Sequence, residues 1–317
     1  MRPQICPERH RIVRRRLLDE LVRRRLHRGS IQSRNVVQCG PESVAVSLLV
    51  LRSASMPTNE GIASLLDARL MNGLWAAFGS GGDNFWVTAT VLNAVLIVGT
   101  PRERLASTLP ALVRARPLES SWLARLRFRV FDRHVAFNPQ KYGWPWIPGT
   151  ISWVAPTAMA MIALQRAKKQ FRISWSELDT RLRLGTEMLL DRACPQGGWN
   201  AGNGVAYGVA LLPHIETTAL ALAALRSQYH LPIVRASFDW LLSRLDCRSA
   251  YSLALAILAG AAYRNVRPDV APALDSARLR LASLVHDPRA IENTSTIALA
   301  ALALDAEGRF NPFEVVQ

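Results

Sequence analysis

The chain has 317 residues, of which 50% are hydrophobic and 20% are charged, so it can bury a large core and is too apolar to be intrinsically disordered. Its net charge is +15, from 39 Lys and Arg against 24 Asp and Glu. No uncharged apolar run approaches the roughly 18 residues of a spanning helix, which excludes that class of membrane protein. No nucleic-acid-binding module is recognisable either, so the charge predicts no nucleic-acid partner.

The N-terminal segment, residues 1–35, carries much of this charge, with eleven Arg and only three acids. Within it, residues 9–27 predict a helix that is apolar on one side and rich in Arg on the other. Such a helix can lie on an anionic membrane surface, or it can pack as an outer helix of the fold. The arginines are followed by no apolar leader, and the four cysteines form no closely spaced pair, so we expect a cytoplasmic protein, with peripheral membrane contact through this helix as an option.

The rest of the chain, residues 36–310, is predicted to be one repeat domain. Three loops rich in Gly and Trp each precede a helix of small apolar residues. The loops are 72–79, 142–149 and 195–202, and weaker copies of the helix alone start near Ser43, Tyr251 and Ser295. The repeats therefore predict six helices that are buried on every side. We expect Ser43, Thr157, Thr218 and Ser295 to be their N-caps.

A second set of helices separates these buried ones, and each has an apolar and a charged face. The set covers residues 59–71, 102–116, 175–192, 234–245 and 271–285. Few or no strands are expected, since no hairpin pattern of alternating residues occurs. Six inner helices with amphipathic partners are best buried as a closed ring, with Trp75, Trp144, Trp146 and Trp199 packed at its rim.

The Gly-Gly-Trp loop that ends in Trp199, with the Thr-led apolar helices, resembles the repeats of the prenyltransferase and squalene/hopene cyclase family. The resemblance covers roughly residues 36–305. It implies an all-α fold, a single α/α toroid, where the cyclases of the family have two. It also implies an isoprenoid ligand, and a cyclase of isomerase or lyase type, or a prenyltransferase, with no organic cofactor.

The chain departs from the family where the chemistry is concerned. The Asp-x-Asp-Asp acid motif of squalene-type cyclases is missing, and only Asp246 and Cys247 resemble the zinc ligands of protein prenyltransferases, at the wrong spacing. No metal site is therefore predicted. Two hypotheses stay open: an enzyme or relative that acts on isoprenoid chains, and a non-catalytic binding or scaffold toroid.

In such a ring the helix N-termini form an electropositive mouth, and the residues just before or at each helix start should face it. Proton donors or acceptors expected there are Asp83, His214 and Glu216, together with Glu42 and Glu292. The expected ligand contacts are Trp86, Trp153, Tyr207 and Glu292. An alternative is that Glu42, Glu216 and Glu292 only complement the helix dipoles, and that His214 is a cap or faces solvent.

Overall fold

A computed structural model describes residues 7–29, 40–78, 81–131, 137–305 and 310–315, with side chains for all of these but 7–9, 25–29 and 129–131. Its inner wall consists of helices rich in Ala, Leu and Val, which need burial on every side. They are α2 (Pro41–Ser53), α4 (Phe85–Ile97), α7 (Val154–Gln170), α9 (Ile215–Ala224), α11 (Ala250–Ala261) and α13 (Thr294–Ala303).

These inner helices form a closed ring. Each packs against the next in the order α2, α4, α7, α9, α11, α13, and α13 returns to pack against α2. Ring closure explains why α4, α7 and α13 are buried along most of their length. The predicted all-α single α/α toroid is confirmed.

An outer layer of helices covers the ring. It contains α1 (Pro7–Gly29), α3 (Asn59–Asp67), α5 (Thr108–Arg114), α8 (Ser176–Asp191), α10 (Pro232–Leu242) and α12 (Ala271–Leu284). In that order they pack on α13, α2, α4, α7, α9 and α11, so each inner helix has an outer partner. A further helix, α6 (Trp122–Phe131), follows a short 3-10 turn at Leu118–Ser120 and packs on it. The one sheet in the described residues is a hairpin of β1 (Val205–Ala206) and β2 (Val209–Ala210).

Three buried tryptophans join the two layers in the same way. Trp75, Trp144 and Trp199 are fully buried, and each indole Nε1 donates to a carbonyl near the end of the preceding outer helix. The acceptors are the carbonyls of Leu65, Leu112 and Leu189, at 2.7, 2.8 and 2.6 Å. The backbone N–H of each tryptophan donates to a threonine in the first turn of the next inner helix. These threonines are Thr88, Thr157 and Thr218, each with its Oγ1 at 2.9 Å.

This arrangement corrects the expected N-caps. Thr157 and Thr218 are the fourth residues of α7 and α9, and the cap positions belong to Trp153 and His214. Ser43 and Ser295 also lie inside their helices, after the caps Gly40 and Asn293. The threonine hydroxyls bond the tryptophan loop, so they are unavailable to the first N–H groups of their own helices.

Two glycines make the third tryptophan loop possible. Gly197 and Gly198 have φ angles of +95° and +81°, a conformation that other residues rarely adopt. A Cβ at Gly198 would also lie 2.6 Å from the Cβ of Pro213. The Gly-Gly-Trp sequence is therefore a requirement of the turn that brings Trp199 under α9.

Buried arginines hold the loops beneath the ring. The Arg181 guanidinium donates to backbone carbonyls, among them that of Gly143 at 2.8 Å, and lies 4.0 Å from the ring centre of Trp144. Burial lowers its pKa to about 9. Arg192 and Glu119, both fully buried, form an ion pair at 3.3 Å, and Arg192 also donates to the Ser152 carbonyl at 2.7 Å. Part of the arginine excess is therefore structural.

The N-terminal helix α1 packs as the outer partner of α13. Its apolar residues Val13, Leu17 and Leu21 are buried, so they are not available to a membrane. Arg24 at its far end donates to the Ile291 carbonyl at 2.5 Å. Hydrogen bonds from Arg23, then from Arg24, lower the pKa of Glu20 to about 2. The outer-helix interpretation of this segment accounts for its packing, and its membrane contact finds no support. The boundary between residues 1–35 and 36–310 stays a prediction.

The C-terminal ends of the inner helices are covered by residues 310–315. Phe313 is buried there, and Arg166 of α7 donates to the Pro312 and Glu314 carbonyls at 2.9 and 3.1 Å. Arg166 also donates to Asn93 Oδ1 at 2.8 Å. This end of the ring is filled by the chain itself.

We predict that Thr218→Val destabilises the protein by about 1–3 kcal/mol, because the Trp199 N–H loses its acceptor in a dry site. Chemical denaturation followed by circular dichroism would measure the change. Thr186→Val is the matched control, since that hydroxyl bonds only the Leu182 carbonyl of its own helix, and should cost less than about 0.5 kcal/mol. Equal losses in the two variants would contradict the role of the tryptophan–threonine bond.

Candidate functional site

The N-terminal ends of the inner helices meet at the other end of the ring. The N–H of Phe85 at the start of α4 donates to the Trp146 carbonyl in the loop before α7, at 2.9 Å. In turn, the Val154 N–H at the start of α7 donates to the Ala201 carbonyl in the loop before α9, at 3.0 Å. The inner helices are therefore parallel, and we call this end the mouth.

A cleft of about 390 Å³ opens at the mouth, between the starts of α2, α4 and α11. This volume falls in the usual range for small-molecule sites, about 300–1,000 Å³. The described residues that line it are Gly40, Glu42, Ser43, Ala77, Phe78, Asn84, Trp86, Val87, Trp146 and Tyr251. None of these is basic, and four are large aromatics from helix starts or mouth loops.

The same helix position supplies three of the lining side chains. Glu42, Trp86 and Tyr251 are each the second residue of their inner helix, after the caps of α2, α4 and α11. Glu216 holds that position in α9. The parallel packing of the ring thus brings equivalent positions of different repeats to the same end of the ring.

Glu42 is the carboxyl group of the cleft. Burial raises its pKa, because the charged form is poorly solvated there, and a hydrogen bond from the Trp86 indole N–H opposes this shift. Glu42 therefore stays protonated to a higher pH than an ordinary glutamate, and the Trp86 N–H can stabilise its anion. A group with this balance can release and regain a proton near the ligand space.

Tyr251 and Glu216 complete the polar side of the cleft. Burial, then the negative charges of Glu42 and Glu216, raise the pKa of Tyr251 to about 12, so its phenol stays neutral. Glu216 lies beside the cleft and accepts a hydrogen bond from the hydroxyl of Ser252, the residue after Tyr251. Two carboxyls and a phenol therefore converge on the mouth.

Two tryptophans also line the cleft. The rings of Trp86 and Trp146 have their centres 5.4 Å apart at an angle of 46°. The sequence groups Trp146 with the tryptophans predicted to pack at the rim. The structure corrects this, because Trp146 is 37% exposed and lines the cleft, whereas the other three are fully buried. Ring faces of this kind attract apolar chains and cations.

The other polar residues expected at the mouth do not line this cleft. Asp83 accepts a hydrogen bond from Asn72 across its loop at 2.8 Å, which holds the two ends of the loop together. His214 and Glu292 are exposed. The Glu292 backbone carbonyl accepts from Arg24 at 2.9 Å, so this segment is joined to α1.

Of the remaining aromatics expected to contact a ligand, neither lines the cleft. Tyr207 is 75% exposed at the tip of the β1–β2 hairpin, with a φ of +52°. Trp153 is half-buried before α7, next to Gly202, where an added Cβ would lie 3.5 Å from the indole. Among the sequence candidates, the structure thus places Glu42 and Trp86 in the cleft and Glu216 beside it, and leaves the others outside.

Sequence reasoning assigned no site role to Tyr251 or Trp146. A signal for Tyr251 exists, because it is an aromatic residue at the start of an inner helix, as Trp86 is. Trp146 has no such signal. It lies two residues after Trp144 in the same loop, and nothing in the sequence distinguishes it from that buried tryptophan.

Within the described part of the chain, no group of three or more His, Cys, Asp and Glu side chains could hold a metal ion. At the faint zinc resemblance, the Cys247 thiol donates to the Ser249 carbonyl at 3.7 Å, and burial raises its pKa. None of the described helices has the length and apolarity needed to cross a membrane.

No family model and no curated protein matches the sequence. Among solved structures, the fold is similar to the type II terpene cyclase MstE from Scytonema without ligand, at 16% identity and a TM-score of 0.54, over 92% of this chain and 97% of that chain. A variant of MstE in complex with its substrate, geranylgeranyl dihydroxybenzoate, matches at 16% identity and a TM-score of 0.55, over 93% and 97%. At this identity the likeness establishes a terpenoid cyclase-like fold.

We predict a pH signature from Glu42. Its pKa is higher in the folded than in the unfolded chain, so its stabilising contribution is full below about 4.5 and is lost as the pH rises through the folded value. Wild type should therefore lose stability relative to Glu42→Gln as the pH rises above this point. Urea unfolding at a series of pH values measures the difference.

Trp86→Phe provides the matched comparison. It removes the indole N–H that stabilises the Glu42 anion, so the pKa of Glu42 should rise further, which ¹³C NMR of the carboxyl carbon can follow. A difference between wild type and Glu42→Gln that does not change with pH would show that this carboxyl is fully solvated.

Proposed function

We propose that this protein binds an isoprenoid chain in the mouth cleft and that Glu42 is the acid of a proton-initiated isomerisation or cyclisation. The observation that carries the proposal is a partly buried carboxyl with a raised pKa that lines a cleft of ligand size together with two tryptophans. The terpenoid cyclase-like fold supports the same ligand class.

Each cleft group has a part in this chemistry. Glu42 transfers its proton to one carbon of an alkene, and the other carbon becomes a tertiary cation. The ring faces of Trp86 and Trp146 stabilise that cation by cation–π attraction. The Trp86 N–H meanwhile stabilises the new Glu42 carboxylate. Loss of a proton from a neighbouring carbon to this carboxylate restores an alkene and the acid, so the sequence of steps balances.

The charge of the cleft favours an uncharged chain over a prenyl diphosphate. None of the described lining residues is basic, and Glu42 and Glu216 sit in the first turns of α2 and α9, where acids offset the positive helix ends. A diphosphate would therefore meet no side-chain cation there. Glu216 positions Tyr251 through its hydrogen bond with Ser252, and we assign it no proton transfer.

A second function is the binding of an isoprenoid without its conversion. It is favoured because acid–base groups predicted from the sequence lie outside the cleft. Asp83 is held by Asn72 and His214 faces solvent, so neither supplies a second acid or base to the cleft. In this alternative the toroid holds an isoprenoid for another protein. The two functions share the ligand and differ in whether it changes.

We predict that geranylgeraniol binds more tightly than geranylgeranyl diphosphate, with changes in tryptophan fluorescence and a higher thermal midpoint. Trp146→Ala should weaken the binding about tenfold, or ~1.4 kcal/mol, because one wall of the cleft is lost. Trp240→Ala is the control, since Trp240 lies on the outer helix α10 near Arg244. If no prenyl alcohol from geraniol upward binds, the proposal fails in both forms.

Conversion is tested separately by gas chromatography and mass spectrometry of the bound alcohol after incubation. Glu42→Gln should keep the binding, because its amide oxygen can still accept from Trp86, and should abolish the product. Binding by wild type with no product at any pH would favour the alternative of a non-catalytic carrier.

A further inference from the structure

Large apolar side chains are exposed around the mouth. Of the strongly exposed hydrophobic residues in the described chain, most lie in the segments that precede the inner helices. They are Phe78, Leu118, Trp122, Leu123, Leu126, Trp146, Ile147, Tyr207, Val209 and Leu212. Single exposed apolar residues are ordinary, but a group on one face marks an interaction surface.

Backbone hydrogen bonds show that these segments adjoin one another. The Leu118 N–H donates to the Thr150 carbonyl at 2.9 Å, which joins the turn before α6 to the loop that carries Trp146 and Ile147. That loop is joined to the start of α4, and the start of α7 to the loop before the β1–β2 hairpin, by the bonds described above. We call these segments, residues 118–126, 146–147 and 207–212, the mouth face.

Helix α6 turns its apolar side outward. Trp122, Leu123 and Leu126 lie on one side of the helix and are 68%, 60% and 54% exposed. The helix is anchored from the other side, where Arg125 donates to the Ser120 carbonyl at 2.9 Å and the Phe128 ring lies 5.6 Å from that of Phe137. An ordinary surface helix would bury the three residues that α6 exposes.

The charge around α6 is positive. Residues 114–127 contain four arginines, of which Arg116 is paired with Glu177 at 2.9 Å. Their one acid, Glu119, is fully buried and paired with Arg192. Arg114 and Arg127 are exposed. A second copy of the chain meeting this face would bring like charges together, whereas an anionic bilayer offers opposite charge together with an apolar layer beneath it.

We propose that the mouth face docks on an anionic lipid bilayer, with α6 lying in the interface and Trp122, Leu123 and Leu126 inserted among the acyl chains. Arg127 contacts the lipid phosphates. This surface differs from α1, whose apolar side is buried in the ring. The proposal does not depend on the ligand of the cleft, since it rests on exposed side chains and their charge.

The test is sedimentation of the full chain with vesicles of phosphatidylcholine that contain about 30% phosphatidylglycerol, beside vesicles of phosphatidylcholine alone. We expect binding at least about tenfold stronger to the anionic vesicles, and weaker at about 0.5 M salt than at 0.15 M. Trp122→Ser with Leu126→Ser should lower the affinity about tenfold or more, with an unchanged thermal midpoint because both residues are exposed.

Met56→Ser with Val266→Ser is the matched control, since these exposed residues follow the C-terminal ends of α2 and α11, at the opposite end of the ring. It should bind vesicles as wild type does. Equal binding by the α6 variant, or equal loss in the control, would overturn the proposal. A dimer of wild type that the α6 variant abolishes in sedimentation equilibrium, without vesicle binding, would assign the face to a second copy instead.

Discussion

The bond between a tryptophan N–H and a threonine of the next inner helix is the interaction on which the rest of this structure depends. Each of the three tryptophans donates from its indole to one helix and from its backbone to the next, so a single residue fixes both the depth and the rotation of the inner helix. Both donors are buried, where an unmade hydrogen bond is expensive, so the geometry has little freedom. The same bonds hold the tryptophan loops in position against the inner helices.

A fixed rotation of the inner helices determines what the mouth contains. Because the inner helices are parallel, their second residues meet at the mouth, and Glu42, Trp86 and Tyr251 line the same cleft. The carboxyl is thus removed from water by its neighbours in space, which come from helices distant in sequence. Its raised pKa is a property of the closed ring, and an isolated hairpin would not have it.

The sequence predicted the fold well and the site only in part. Repeats of apolar helices identify the ring, since their burial on all sides has few other solutions. The caps were placed wrongly at Thr157 and Thr218, because the first turn of a helix and its cap have the same composition and the competing tryptophan loop is not visible. Trp146 and Trp144 are alike in sequence, and only the packing separates a lining residue from a buried one. For Asp83, the hydrogen bond from the Asn72 amide holds the carboxyl in its own loop, and the sequence does not reveal this bond.

The contact of α13 with α2 distinguishes this molecule from an open array of repeats. In an open array a terminal repeat can be removed at the cost of one interface, and stability falls step by step. Here every inner helix has two neighbours, so the loss of any hairpin leaves two apolar walls facing solvent. The chain must bring its first and last hairpins together before any of them is fully enclosed. Unfolding is thereby cooperative across the whole ring, and a gap in one repeat is felt by residues at both ends of the sequence.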